Sequence, residues 1–198
     1  MNTVSRIAYG PGSRCFIGAA LIVAALQTGI VGYMIASRAA VLQSGAEVLL
    51  QTAPVDPRDL LRGDYVILSY DISTVPLDKI VGSRPADAAS QPLWVRLKKD
   101  ASGYWGVSEA SFQKLQPQSE AIVVKGHLPP YVTSLSGSAV SVSYGIERFY
   151  VPEGEGRDLE LVRGTEKLAV AARVSESGQA QIRALLLDGK PVYDEPLY

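Results

Sequence analysis

Hydrophobic positions fall into two textures along this chain. From Cys15 to Ser37 the sequence reads CFIGAALIVAALQTGIVGYMIAS, with no charged residue. Residues 15–36 number 22. At ~1.5 Å of rise each, a helix of that length covers roughly 33 Å, enough for the hydrocarbon core of a bilayer. Further on, apolar residues come in short alternating runs cut by turn residues, which is the pattern of strands. The reading is a single N-terminal transmembrane helix at 15–37, a linker at 38–46, and a mainly β domain at 47–198.

The strand pattern is plainest in LLRGDYVILSYDIS, Leu60 to Ser73. Val66, Leu68, Tyr70 and Ile72 alternate with Tyr65, Ile67, Ser69 and Asp71, so one face of a strand is apolar. Just upstream, Pro54 and Pro57 forbid a regular helix. Segments 92–100 and 103–111 predict a hairpin around Ala101-Ser102-Gly103. Further strands are expected in 120–128, 139–146 and 147–151. In the C-terminal part, Ser175-Glu-Ser-Gly and Asp188-Gly189 are hairpin turn signals. Residues 152–167, PEGEGRDLELVRGTEK, predict one short helix. Many short strands with frequent turns predict a sandwich or a partly open barrel.

Charge adds an orientation. No Asp or Glu precedes Glu47, whereas Arg6 and Arg14 lie before the apolar stretch. The positive-inside rule then predicts a cytoplasmic segment at 1–14 and an exported C-terminal domain. That makes the helix a signal anchor of a single-pass protein in the inner (cytoplasmic) membrane, with its domain in the periplasm or at the cell exterior. A cleaved signal peptide is the competing reading, since Ser37-Arg-Ala offers small residues at a cleavage position. The apolar stretch exceeds the usual ~7–15 residues of such a peptide, which favours a retained anchor. Of the 19 basic and 20 acidic residues, removing Arg6 and Arg14 leaves 17 against 20, so the large C-terminal part carries −3. No general attraction to nucleic acid follows. Ala24, Thr28 and Gly32 recur at every fourth position with Gln27 beside them, a pattern compatible with helix packing.

The inventory of reactive groups is short. One histidine, His127, and one cysteine, Cys15, are present, too few for a zinc site. A Ser-His-Asp triad would have to pass through His127. No nucleotide-binding glycine motif occurs, and no cofactor is expected. Two polar stretches remain. PVDPRDLLRGDY holds Asp56, Arg58, Asp59, Arg62 and Asp64, and YGIERFYVPEGEGRDLE holds Glu147, Arg148, Glu153, Glu155, Arg157, Asp158 and Glu160. Acids and arginines this close can neutralise one another as ion pairs that fix loop geometry. Alternatively the two stretches meet as a groove in which paired carboxylates do acid–base work. Trp94, Tyr104 and Trp105 offer a third reading, a stacking surface for a small molecule or glycan.

GDYVILSY, Gly63 to Tyr70, matches G-D-Y-x-x-L-x-Y at every fixed position. With TAPVDPRDLLRGDY and YGIERFYVPEGEGRDLE, it makes the chain resemble the GDYXXLXY family of bacterial membrane-anchored proteins over roughly residues 47–195. The resemblance implies an accessory or partner-binding subunit of a multi-pass membrane protein, with no defined biochemical role. The contact candidates are Asp56, Arg58, Asp64, Tyr65, Tyr70, Glu147, Arg148, Glu153 and Glu155. Within the motif, Tyr70 shares the apolar face of Leu68 and is expected in the core, its hydroxyl satisfied. The alternative function is an envelope hydrolase using carboxylates of segments 56–64 and 147–160.

Overall fold

The computed structural model describes residues 11–53, 65–150 and 168–195, with backbone alone at 11–15, 65–66 and 150. The chain divides into two units at Ala39/Ala40.

Helix α1 runs Pro11–Ser44. Proline suits a first helical turn, where its missing N–H would be unpaired anyway. The stretch from Phe16 is long and apolar enough to cross a membrane. Phe16, Leu21, Ile22 and Tyr33 are all exposed. Residues 38–44, read above as part of a linker, continue the helix. Arg38-Ala-Ala-Val-Leu-Gln are residues that tolerate helix well. The stop comes at Gly45, whose N–H donates to the Val41 carbonyl at 2.9 Å.

The rest is mainly β, and the described residues form two larger sheets and two short ladders, with no closed barrel among them. The five-stranded sheet has the order β12-β11-β10-β1-β3, built from β1 (Ala46–Ala53), β3 (Ser69–Tyr70), β10 (Leu168–Val174), β11 (Ala180–Leu187) and β12 (Lys190–Asp194). The three-stranded sheet has the order β6-β5-β7, from β5 (Pro92–Lys99), β6 (Trp105–Ser111) and β7 (Ala121–His127). Strand β2 (Tyr65–Ile67) pairs with β9 (Arg148–Tyr150), and β4 (Thr74–Pro76) with β8 (Ala139–Ser141).

One core joins the sheets. Val48 and Leu50 of β1, Leu93, Val95 and Leu97 of β5, and Val170 and Ala172 of β10 all belong to it. In β5 the apolar side chains alternate, and Leu93, Val95 and Leu97 have no exposed surface, while Arg96 on the other face is buried as well. Each such apolar side chain contributes about 1.5–3 kcal/mol by leaving water.

The expected hairpins form. Between β5 and β6, the Asp100 carboxylate accepts from the Ser102 hydroxyl (2.6 Å), the Ser102 amide (2.8 Å) and the Tyr104 amide (3.1 Å). Between β11 and β12, Asp188 and Gly189 take φ of 51° and 77°. Two left-handed residues in a row match the twist of a two-residue hairpin, and glycine takes the second at no steric cost.

Three further expectations change or fall outside the described residues. The strand expected over 139–146 is regular only at Ala139–Ser141. The strand read from Tyr65 to Ile72 is broken. β2 ends at Ile67, β3 is only Ser69–Tyr70, and Asp71–Ser73 is a 3-10 turn. The alternation of faces survives the break, because Leu68, Tyr70 and Ile72 are all buried. The helix expected at 152–167 lies outside the described residues.

Candidate functional site

The motif segment packs against residues 142–148 through a set of reciprocal bonds. Leu68 N–H donates to the Glu147 carbonyl at 2.8 Å, and Val142 N–H to the Ser73 carbonyl at 2.9 Å. Between them two tyrosines cross over. The Tyr70 hydroxyl donates to the Ile146 carbonyl, and the Tyr144 hydroxyl to the Ile72 carbonyl, both at 2.6 Å. Each ring is buried, so each hydroxyl satisfies a carbonyl that water does not reach. The sequence pattern placed Tyr70 in the core and missed Tyr144, whose signal is the alternation Val140, Val142, Tyr144, Ile146.

Burial, and secondarily the charge of Glu147, raise the Tyr70 phenol well above its ordinary pKa. The same causes, in the same order, raise Tyr144. Both stay protonated at neutral pH and serve as donors, with no tendency to become nucleophiles.

Glu147 is committed to its own turn. Its carboxylate accepts from the Tyr144 N–H and, at 3.0 Å, from the Gly145 N–H. Arg148 is exposed on β9. Tyr70, offered above as a contact residue, is a core residue with no surface for a partner. Tyr65 is placed by its backbone alone, opposite Tyr150. Asp56, Arg58, Asp64, Glu153 and Glu155 lie outside the described residues.

The flanks of the two polar segments are nevertheless fixed. Segment 54–64 lies between Ala53 and Tyr65, and segment 151–167 between Tyr150 and Leu168. Tyr65 pairs with Tyr150 across the β2–β9 ladder. At the other end, the Thr52 hydroxyl donates to the Leu168 carbonyl at 2.7 Å. The described residues flanking the two segments therefore lie beside each other, Thr52 by Leu168 and Tyr65 by Tyr150.

The described residues supply little for catalysis. No group of three or more His, Cys, Asp or Glu side chains among them is placed to hold a metal. His127 is exposed, and its backbone exchanges both hydrogen bonds with Ser143, at 2.8 and 2.9 Å. A shallow hollow of about 320 Å³ beside Tyr131 is lined by Thr133, Ser134, Ser136 and Ser141, with no charged side chain in its lining. Nor do the three aromatics make one surface. Trp105 packs against the core, whereas Trp94 lies on the opposite face of the same sheet, two residues from Arg96.

A family model described as GDYXXLXY protein matches residues 27–185. The chain belongs to the GDYXXLXY family. No curated protein and no solved structure matches it. The matched region of this GDYXXLXY protein begins inside α1 and ends in β11. It includes the whole tyrosine crossover, so the fixed Leu68 and Tyr70 of the motif are fold-building residues.

Proposed function

We propose that this GDYXXLXY protein is a bacterial, membrane-anchored envelope protein acting as the accessory, partner-binding subunit of a multi-pass membrane protein. Its helix crosses the inner membrane once and its β domain is exported. The observation that carries this reading is the uncovered apolar surface of α1. Phe16, Leu21, Ile22, Leu26, Ile30 and Met34 are all more than half exposed. Such a surface needs lipid or another helix around it. Arg6 and Arg14 on one side of the apolar stretch support an inside N-terminus. The two polar segments, brought together at their flanks, are the contacts we assign to the partner.

The hydrolase alternative lacks support of this kind. Glu147, its one described carboxylate, has both oxygens engaged by backbone amides. A base held as a turn acceptor is a poor proton carrier.

Purification of the full-length protein from its native membrane in mild detergent tests the proposal. A multi-pass protein recovered in stoichiometric amount is the expected result. A monomer free of companions, under conditions that preserve other membrane complexes, overturns it.

A further inference from the structure

The second charged region of the molecule is basic, and the motif does not involve it. On β5, residues Trp94, Arg96 and Lys98 share the face opposite the buried Leu93, Val95 and Leu97. Register adds their neighbours. Trp94 pairs with Lys125 and Ser111, and Arg96 with Val123 and Glu109. Two ammonium groups converge on one indole. Lys114 Nζ lies 5.6 Å and Lys125 Nζ 5.7 Å from the Trp94 ring centroid. Each distance is within cation–π range.

The turn after β10 fixes this arrangement from the side. Gly178 has φ +82°, and a Cβ there would meet Trp94 Cζ3 and Lys125 N at 3.0 Å each. Its carbonyl accepts from the Lys125 N–H at 2.8 Å. Only glycine allows so close an approach, so the indole and the Lys125 backbone are held in place.

The charges on this face are unbalanced. Arg96 is buried and is answered by the Glu109 carboxylate and the Gln116 carbonyl. Lys98, Lys114 and Lys125 form no ion pair among the described residues. The nearby carboxylates of Glu120, ahead of β7, and Glu176, in the 175–178 turn, are both exposed. Two like charges gathered on one half-buried ring repel each other, and an anion between them removes the repulsion.

We propose that the outer face of the β6–β5–β7 sheet docks an acidic peptide segment of a partner protein. Carboxylates of the segment lie against Lys114 and Lys125, and an adjacent apolar side chain lies on Trp94. The patch is two ammonium groups on one indole, a footprint two or three side chains wide that fits a peptide segment carrying acidic and apolar residues side by side. The proposal stands apart from the identity of any membrane partner, since it rests on Trp94, Lys114 and Lys125 alone.

The test uses the full-length protein in neutral detergent and a decaglutamate peptide as probe. The chain has two tryptophans, so Trp105→Phe leaves Trp94 as the sole reporter. A saturable change in its emission is expected, weakening about tenfold or more as salt rises from about 0.1 M to about 1 M. Calorimetry on the unsubstituted chain must give the same affinity, which removes dependence on Trp105→Phe. Lys114→Glu with Lys125→Glu should abolish binding. Should that pair fail to fold by circular dichroism, Lys114→Gln with Lys125→Gln keeps length and polarity and should weaken binding about tenfold. Lys190→Glu, on β12, should leave it unchanged. Undetectable decaglutamate binding, salt-independent binding, or equal affinity in the lysine variants overturns the proposal. So do phosphatidylglycerol vesicles that bind better than the peptide and lose binding with the same lysines.

Discussion

Glu147 and the pair Lys114/Lys125 both sit beside aromatic rings, and both stand out as charge in a domain of modest charge density. Their surroundings differ. The Glu147 oxygens are taken by amides two and three residues upstream, and the tyrosines beside it spend their hydroxyls on backbone carbonyls. Among the described residues the two lysines have only the Trp94 ring. An ionised side chain whose hydrogen bonds are met by its own chain is part of the fold. One left with a ring and no counter-charge keeps capacity for an outside ligand. Density of acids and arginines in a sequence does not separate these cases, because it records how much charge is present and not what answers it.

The difference has measurable consequences, the largest on the tyrosine side. Replacing Tyr70 and Tyr144 together by Phe leaves two buried carbonyls without donors. Each loss should cost about 1–3 kcal/mol, seen as a lowered thermal midpoint of the full-length protein in detergent. A midpoint within a degree of the parent would mean the crossover is ornamental. Glu147→Ala should cost about 1.5 kcal/mol, since two amides lose a charged acceptor at a half-exposed position. Glu147→Gln should recover part of that.

Alkaline pH gives a third test. Both phenols have folded pKa values above that of the unfolded chain. The folded state therefore keeps its protons where the unfolded state has lost them. That contribution is complete below about pH 10 and is lost as pH rises from there toward the folded values. Chemical denaturation at stepped pH should show stability falling above pH ~10, with a shallower fall in the Tyr70→Phe variant. The smallest effect belongs to the basic face. Lys114→Ala with Lys125→Ala should change stability by about 0.5–1 kcal/mol or less, because each removes one ring contact and relieves mutual repulsion. A larger loss would make these lysines fold residues, and the comparison would collapse.

What the sequence revealed follows the range of the forces involved. The turns at Ser175–Gly178 and Asp188-Gly189 are local chemistry, and the hairpins formed there. The apolar stretch from Cys15 is legible by length alone. The alternation Leu68, Tyr70, Ile72 identified the buried face correctly. It did not foretell the break at Leu68, because β2 and β3 end where their partners change, from β9 to β1, and those partners are distant in sequence. Arg96 escaped notice for a related reason. In LWVRLKK it reads as an outward polar position, yet Glu109 across the ladder and the Gln116 carbonyl let it be buried. Lys114 lies outside any strand, so its approach to Trp94 has no periodic signature. The candidate site was half legible. Tyr70 was readable as a core position, whereas the use of Glu147 by its own turn depends on the conformation at Gly145.

The pairing of β1 with β10 also sets an order in time. The bond that closes the end of β1 links Thr52 to Leu168, 116 residues later. A ribosome adds about 5–20 residues per second, so β1 waits roughly ten seconds for the strand that covers it. During that wait β1 has β3 as a neighbour and lacks β10, which pairs with it from Ala46 to Gln51. The five-stranded sheet cannot close before β10 is made. It stays open along that edge of β1 until the last quarter of the chain is made, an edge that invites a chaperone to hold the first strand meanwhile.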